Sequence, residues 1–299
     1  MELDQVAAFL EVARLQSFSR AAEKLYRTQP AISAQIRSLE EEFGQKLFDR
    51  LGRRIFLTPS GEVLFEYGAR LLALHRETMQ RVREAHGAVA GKLIVGANEA
   101  TCLYVLPQVF AEFKQKYPQV GISIYRSFSN KILQKMAQSE VDLGIVTLPV
   151  TQNNLKVIPI FEDELHVVVP AGHPFAKRSS VKVDDLVKEP LIFPKGGHTR
   201  ELLERIFRKY RNQIQISMEL ASVETIKKFV GAGLGVSLLS KSYATIEEQT
   251  GVLHLVPIQG MKLVRKLGLV YRTDRHLSRA AQAFAEVATA VQGKGKSGD

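Results

Sequence analysis

The chain has 299 residues, 41 Lys/Arg against 31 Asp/Glu, and a formal net charge of +10. That length accommodates two or three compact units, and 45% hydrophobic with 24% charged residues is a globular composition. No apolar run reaches the roughly 18 residues that span a bilayer, the acidic start Met1-Glu2-Leu3-Asp4 is unlike a signal peptide, and the one cysteine, Cys102, excludes an internal disulfide or a cysteine zinc cluster. A cytoplasmic protein without a membrane association is expected.

From the N-terminus, Leu3, Val6, Ala7, Leu10 and Ala13 mark an amphipathic helix over Leu3–Leu15, with Phe9 on its buried side. Ser17 or Ser19 can cap a second helix, Ser19–Leu25, whose Ala21-Ala22 pair allows close helix approach. Thr28 is placed to cap a third helix with Pro30 in its first turn. Ile32, Ile36, Leu39 and Phe43 line one face of it, and Gly44 ends it. Leu47 to Arg50 and Ile55 to Leu57 then read as a short hairpin with Arg53 and Arg54 near its tip. Thr58-Pro59-Ser60-Gly61 opens a helix of about 25 to 30 residues that ends near Gly87 to Gly91. Its apolar stripe, including Leu64, Leu71, Leu72, Leu74, Met79 and Val82, is more than one chain can cover, so pairing with a second chain is expected.

From Lys92 strands and helices alternate. Strands are expected at Lys92–Ala97, Gly121–Ser127 and Val141–Val146, with helices at Thr101–Tyr117 and Lys131–Ser139. A second run comprises Glu164–Val169, Leu191–Phe193, Thr199–Arg211, Gln215–Leu220, Val223–Gly231 and Val236–Leu239. Leu267–Tyr271 and a last helix, Ser278–Val291, return the chain. This alternation predicts a mostly parallel α/β sheet in two lobes with a cleft between them. Expected boundaries are 1–58 for a winged helix-turn-helix, 59–91 for the long helix and 92–292 for the lobes. Within the last, lobe I takes about 92–162 and 266–292, lobe II takes 163–265, and 293–299 is a disordered tail.

Charge alone does not identify a nucleic-acid binder. Residues 1–91 hold 13 Lys/Arg against 12 Asp/Glu, whereas 92–299 hold 28 against 19. A DNA reading therefore rests on particular positions. Gln29, Ser33 and Arg37 stand at i, i+4 and i+8, on a polar face opposite Ile32, Ile36 and Leu39. In a helix-turn-helix that face meets base edges: Gln suits adenine, Arg suits guanine or phosphate, and Ser bonds either way. Thr28 can contact a phosphate, and Arg53 and Arg54 on the wing fall near the backbone or minor groove.

Many residues at fixed spacing carry a family likeness: Phe9, Val12, Ser17-Phe18, Ala21-Ala22, Leu25, Gln29-Pro30-Ala31, Ser33, Ile36, Leu39-Glu40, Gly44, Leu47-Phe48, Arg50, Arg53 and Leu57-Thr58-Pro59-x-Gly61. The N-terminal third closely resembles the LysR-type transcriptional regulators. Pro107 to Pro118, Val141 to Ile145 and Gly231 to Val236 make the remainder similar to that family's effector domain, which has a periplasmic-binding-protein-like fold. The resemblance implies a homodimer or homotetramer that binds double-stranded promoter DNA, contacts RNA polymerase and responds to a small-molecule effector in the cleft, with no catalytic role. It puts Thr28, Gln29, Pro30, Ser33, Arg37, Arg50, Arg53 and Arg54 at DNA. Ala34 departs from the Arg or Lys many members have there, which bears on operator sequence.

Ligands of open α/β sheets bind beyond the carboxyl ends of strands. Those ends supply Asn98, Glu99, Ala100 and Thr101, then Ser127, Phe128 and Ser129, then Thr147, and in the other lobe Phe193, Lys195 and Thr199. Hydroxyls, free amides and Lys195 favour an anionic ligand, while Glu99 leaves room for a zwitterion or cation. For each, an ordinary cap or turn role competes. No cofactor and no metal spacing is expected. Gly231-x-Gly233-x-Gly235 follows a helix and precedes a strand, the reverse of a dinucleotide loop, and reads as packing. Glu162-Asp163-Glu164 reads as a solvated turn, and Cys102 as a small buried residue. An enzyme or a solute-binding protein on the same lobes requires a catalytic constellation or an export signal, and neither is present in the pattern. An architectural DNA-binding protein has little use for a cleft.

Overall fold

The computed structural model describes residues 1–51, 54–84 and 89–295. Two compact units emerge, one comprising Met1–Ala88 with Ala137–Glu140 and one comprising Val89–Met136 and Val141–Asp299.

In the first unit α1 (Leu3–Leu15), α2 (Phe18–Lys24) and α3 (Gln29–Phe43) are followed by a hairpin of β1 (Phe48–Leu51) and β2 (Arg54–Leu57), then α4 (Pro59–Glu84). Local chemistry sets the boundaries. Ser17, not Ser19, caps α2, its hydroxyl accepting from the Arg20 N–H at 3.3 Å. Thr28 caps α3 by accepting from the Ala31 N–H at 3.4 Å, and Gly44 ends it with φ 63°. The hairpin is antiparallel, in register from Phe48 opposite Leu57 to Leu51 opposite Arg54. Val6, Phe9, Leu10, Ile32, Ile36, Leu39 and Leu47 close one core, with the Phe9 and Phe48 rings 5.1 Å apart.

Thr58 ties wing to helix: its N–H donates to the Leu47 carbonyl at 3.1 Å, while its hydroxyl donates to the Lys46 carbonyl at 2.6 Å and accepts from the Gly61 N–H at 3.0 Å. A Cβ on Gly61 would fall 2.1 Å from the Leu47 carbonyl oxygen, so only glycine lets α4 start here. Leu64, Gly68, Ala69 and Ala73 of α4 are buried, whereas Val63, Tyr67, Leu74, Met79 and Val82 are exposed. One face of the helix is thus covered and an apolar one is not.

The second unit begins with β3 (Gly91–Ala97), α5 (Glu99–Tyr104), α6 (Leu106–Lys116), β4 (Val120–Arg126), α7 (Ser129–Ala137), β5 (Leu143–Thr147) and β6 (Leu155–Pro170). It continues through α8 (Val183–Leu186), β7 (Pro190–Pro194), α9 (His198–Ile206), β8 (Gln215–Leu220), α10 (Val223–Gly231), β9 (Ser237–Ser240), α11 (Thr245–Gln249), β10 (Leu253–Val256), β11 (Val264–Arg272) and α12 (Arg279–Gly295). The large sheet runs β10-β6-β11-β5-β3-β4, with β9 also on β6, and β7 pairs β8 in a second, parallel sheet. β6 links the lobes. Leu155–Glu164 pairs with β11, and Leu165–Pro170 pairs with β9 and β10. Lobe I packs around Leu93, Leu106, Phe113, Leu269 and Phe284, and lobe II around Leu165, Phe175, Phe193, Phe207 and Leu238.

Several expectations change. The sheet is mixed: β3 is parallel to β4 and β5, but β11, β6, β9 and β10 join antiparallel, because the two crossing strands leave one lobe to enter the other. The helix expected over Thr101–Tyr117 breaks at Val105, since Pro107 has no N–H to bond the Leu103 carbonyl. β6 starts at Leu155 instead of Glu164; Pro159 sits opposite Gly268 beside a register shift, where a ladder tolerates proline. Glu162-Asp163-Glu164 is not a solvated turn but the middle of β6, opposite Val264 to Lys266. Its charges are neutralised, Glu162 by Lys266 at 3.2 Å and Glu164 by Lys262 at 3.3 Å. The tail expected from residue 293 is helical in α12 through Gly295, and 296–299 fall outside the described residues. Of the glycine run, packing requires only Gly235, which has φ 150° and where a Cβ would meet the Pro190 carbonyl oxygen at 2.5 Å; Gly233 (φ 78°) has open space around it.

Candidate functional site

The polar face of α3 is built as its spacing requires. Ile32, Ile36 and Leu39 are buried, which turns Gln29, Pro30 and Arg37 outward with Ser33 half-exposed. The Gln29 amide donates to the Ser33 hydroxyl at 2.8 Å, so the two are held as one hydrogen-bonding edge at the start of the helix. Arg37 and Arg54 are exposed and carry no ion pair among the described residues. Arg53 and the side chain of Arg50 lie outside them. Sequence reasoning missed Tyr26, in the turn between α2 and α3: its backbone is left-handed (φ 53°) and its ring is 96% exposed. That strain in a residue other than glycine marks a tight turn, closed here by the Arg27 N–H on the Ala22 carbonyl at 2.9 Å.

Glu40 braces this face against the wing. Its carboxylate accepts from the Leu47 N–H at 3.0 Å and from the Lys46 ammonium at 2.8 Å. Burial pushes its pKa up, but the Lys46 ammonium and the Leu47 and Phe48 N–H groups outweigh this and hold it below the usual carboxylate range.

In the second unit a cavity of about 350 Å³ opens between the lobes, a size suited to a small organic molecule. Asn98, Glu99, Ala100, Ser127, Phe128, Thr147 and Thr199 line it as expected. Asn98 also caps α5, accepting from the Thr101 N–H at 2.8 Å, so its cap role is real. Glu99 accepts from the Ser222 hydroxyl of lobe II at 3.2 Å; its carboxylate is engaged and does not simply face the ligand. Thr101 is buried beside the cavity.

Four expected residues do not form the wall: Thr101, buried beside it, and the three that follow. Phe193 is 1% exposed and packs in the lobe II core against Phe207, its alternating strand position facing inward. Lys195 is exposed and is not part of the lining, while its N–H bonds the Leu220 carbonyl at 2.9 Å. The Ser129 hydroxyl accepts from the Thr147 N–H at 3.2 Å, bracing the strand end instead. The wall instead includes Arg126, His198, Ser240, Tyr243 and Arg265. Arg126, His198 and Ser240, each beside the carboxyl end of an expected strand, could have been added by the same rule; Tyr243 and Arg265 could not. Burial drives the His198 pKa down, with Arg265 adding to the effect and Glu201 opposing it. Among the described residues no group of three His, Cys, Asp or Glu could hold a metal ion. No helix among them is long and apolar enough to cross a membrane.

Known proteins agree with both halves. Residues 3–62 match the model of the bacterial regulatory helix-turn-helix protein, lysR family, and residues 86–293 match the LysR substrate binding domain. A protein of Trichormus variabilis described as a "Probable RuBisCO transcriptional regulator" is 36% identical, over 95% of this chain and 86% of its own. A full-length OxyR variant from Pseudomonas aeruginosa superposes with a TM-score of 0.69 at 26% identity, covering 96% of this chain and 94% of that one. CbnR complexed with its target DNA shares the fold, with a TM-score of 0.68 at 21% identity over 97% and 99% of the two chains. The chain belongs to the LysR family: it is a DNA-binding transcriptional regulator, not an enzyme, and it responds to a small-molecule effector.

Proposed function

We propose that the edge formed by Gln29 and Ser33 reads bases in the major groove, with Arg37 beside it. Thr28, Pro30, Arg50, Arg53, Arg54 and the missed Tyr26 hold the phosphate backbone. The observation that carries this is the exposed, hydrogen-bonded Gln29–Ser33 pair at the N-terminus of a helix whose opposite face is buried. The exposed stripe of α4 from Val63 to Val82 supports pairing of two copies into a dimer or higher oligomer. The effector is an acidic small molecule held between the lobes, touching Asn98, Ser127, Phe128, Thr147 and Thr199. A ligand that favours one lobe arrangement shifts the protein between states that RNA polymerase distinguishes. The protein acts in the cytoplasm, where DNA and polymerase are. Relatives described as RuBisCO regulators support a target among genes of carbon fixation.

The test is a gel shift and footprint on the promoter of a RuBisCO large-subunit gene, with and without a panel of small organic anions. Retarded DNA whose footprint changes on adding an anion is expected. Binding no tighter than to unrelated DNA, or a footprint indifferent to every anion, overturns the target or the effector class respectively.

A further inference from the structure

One residue of the cavity wall, absent from every expectation above, is a buried cation with no ion-pair partner among the described residues. Arg265 lies on β11 where the chain passes between lobes and is 5% exposed. Its Nη1 donates to the Tyr243 hydroxyl, and the guanidinium lies 4.5 Å from that ring's centroid. Nε and Nη2 are buried with no hydrogen-bond partner among the described residues. A guanidinium stays charged at any accessible pH, and leaving one buried with two donors unmade is strongly unfavourable. No carboxylate among the described residues bonds its guanidinium. Asp163 stands opposite Arg265 in the ladder, yet it accepts from the N–H of Ser242 at 3.2 Å and from the Ser242 hydroxyl. Glu162 and Glu164 are occupied by Lys266 and Lys262.

The two open donors lie along one edge of the guanidinium, the fork that takes both oxygens of a carboxylate, sulfate or phosphate. Around the same cavity the Ser240 hydroxyl is 2% exposed and likewise without a partner. Phe128, Val223, Ile226 and Leu239 supply apolar wall. We propose that Arg265 seats one compact anionic group of the effector through its Nε/Nη2 edge, with the Ser240 hydroxyl as a further donor and the remainder of the ligand over the apolar wall. This deepens the acidic-effector reading above by naming the residue that recognises the acid. It also gives the bound anion a purchase on both lobes. Tyr243, which holds the other side of Arg265, stacks on Tyr104 of lobe I at 4.8 Å, and Lys227 of lobe II donates to the Tyr104 hydroxyl at 2.5 Å.

The experiment is calorimetric titration of the full-length protein with inorganic phosphate, sulfate, acetate and succinate. It compares wild type with Arg265→Gln, Arg265→Lys and a cavity-filling Ser240→Phe. Wild type should bind at least one probe saturably, and the probe that binds tightest identifies phosphate, sulfate or carboxylate as the group. Arg265→Gln should weaken that binding by about 10- to 100-fold, the equivalent of a charge-assisted fork, with Arg265→Lys intermediate. Thermal midpoints without added anion separate ligation from scaffolding. Removing an unpaired buried charge should leave the Arg265→Gln midpoint unchanged or higher, while a structural role lowers it. The proposal is overturned if no probe saturates with wild type, if Arg265→Gln binds as wild type does, or if its anion-free midpoint falls. Should Arg265→Gln bind normally while Ser240→Phe does not, the cleft reading stands and the role of Arg265 fails. Should both bind normally, both fail.

Discussion

Replacing Glu40 by glutamine tests how the recognition helix is fixed to its wing. The carboxylate of Glu40 is only 12% exposed and joins α3 to β1 through the Leu47 N–H at 3.0 Å and Lys46 at 2.8 Å. Lys46 is 75% exposed, so its ion pair contributes well under about 1 kcal/mol. The N–H bond to a charged acceptor contributes about 1.5–3 kcal/mol. Glutamine keeps an oxygen acceptor and loses the charge, so a destabilisation of about 1 kcal/mol is expected at neutral pH. Alanine strands the Leu47 N–H and should cost about 2 kcal/mol.

Because the folded carboxyl pKa lies below its unfolded value, the stabilisation is complete above the unfolded value of about 4.3 and disappears as pH falls through the folded one. The difference between wild type and Glu40→Gln should therefore close in acid. Hydrogen exchange at the Leu47 amide reads this locally: its protection factor should drop about fivefold in Glu40→Gln at pH 7. Equal protection at neutral pH, or a difference that does not narrow as pH falls below the usual carboxylate range, refutes the brace.

Other outcomes follow from single positions. Gly61→Ala puts a methyl 2.1 Å from the Leu47 carbonyl oxygen; unfolding of the first unit should be easier by at least about 2 kcal/mol, and an unchanged midpoint refutes the close approach. Arg53→Ala and Arg54→Ala should each weaken binding to all DNA and lower the salt slope by about 1, whereas Gln29→Ala should change the preferred sequence. A site-selection profile identical to wild type for Gln29→Ala would remove it from base readout. Leu74→Glu on the exposed stripe of α4 should shift sedimentation toward a monomer; an unaltered oligomer places the interface elsewhere. The Cys102 thiol is pushed up by burial, with Glu99 also raising it and Arg126 opposing. Alkylation at pH 7 should thus be slower than for free cysteine, and a faster rate contradicts that environment.

The first unit was legible because its information is local. Thr28 as cap, Pro30 in the first turn, Gly44 as stop and Thr58 before the next helix each act within a few residues, so spacing alone placed α3 and the wing. The same held for the strand-end loops that line the cleft, since a strand end and the following cap are adjacent in sequence. What the sequence by itself determined is thus the set of elements, the polar face of α3 and the family likeness. Tertiary structure decided the rest. Strand β6 hid behind Pro159 and three acidic residues because its ladder partners lie about a hundred residues away in β11, and a bulge there accommodates the proline. Phe193 turned inward because a strand's alternation acquires a direction only once a core exists to face. Arg265 could not be singled out in a basic chain: a lysine or arginine is ordinarily solvated, and it becomes a site only when the fold buries it and commits its opposite-strand carboxylate to Ser242.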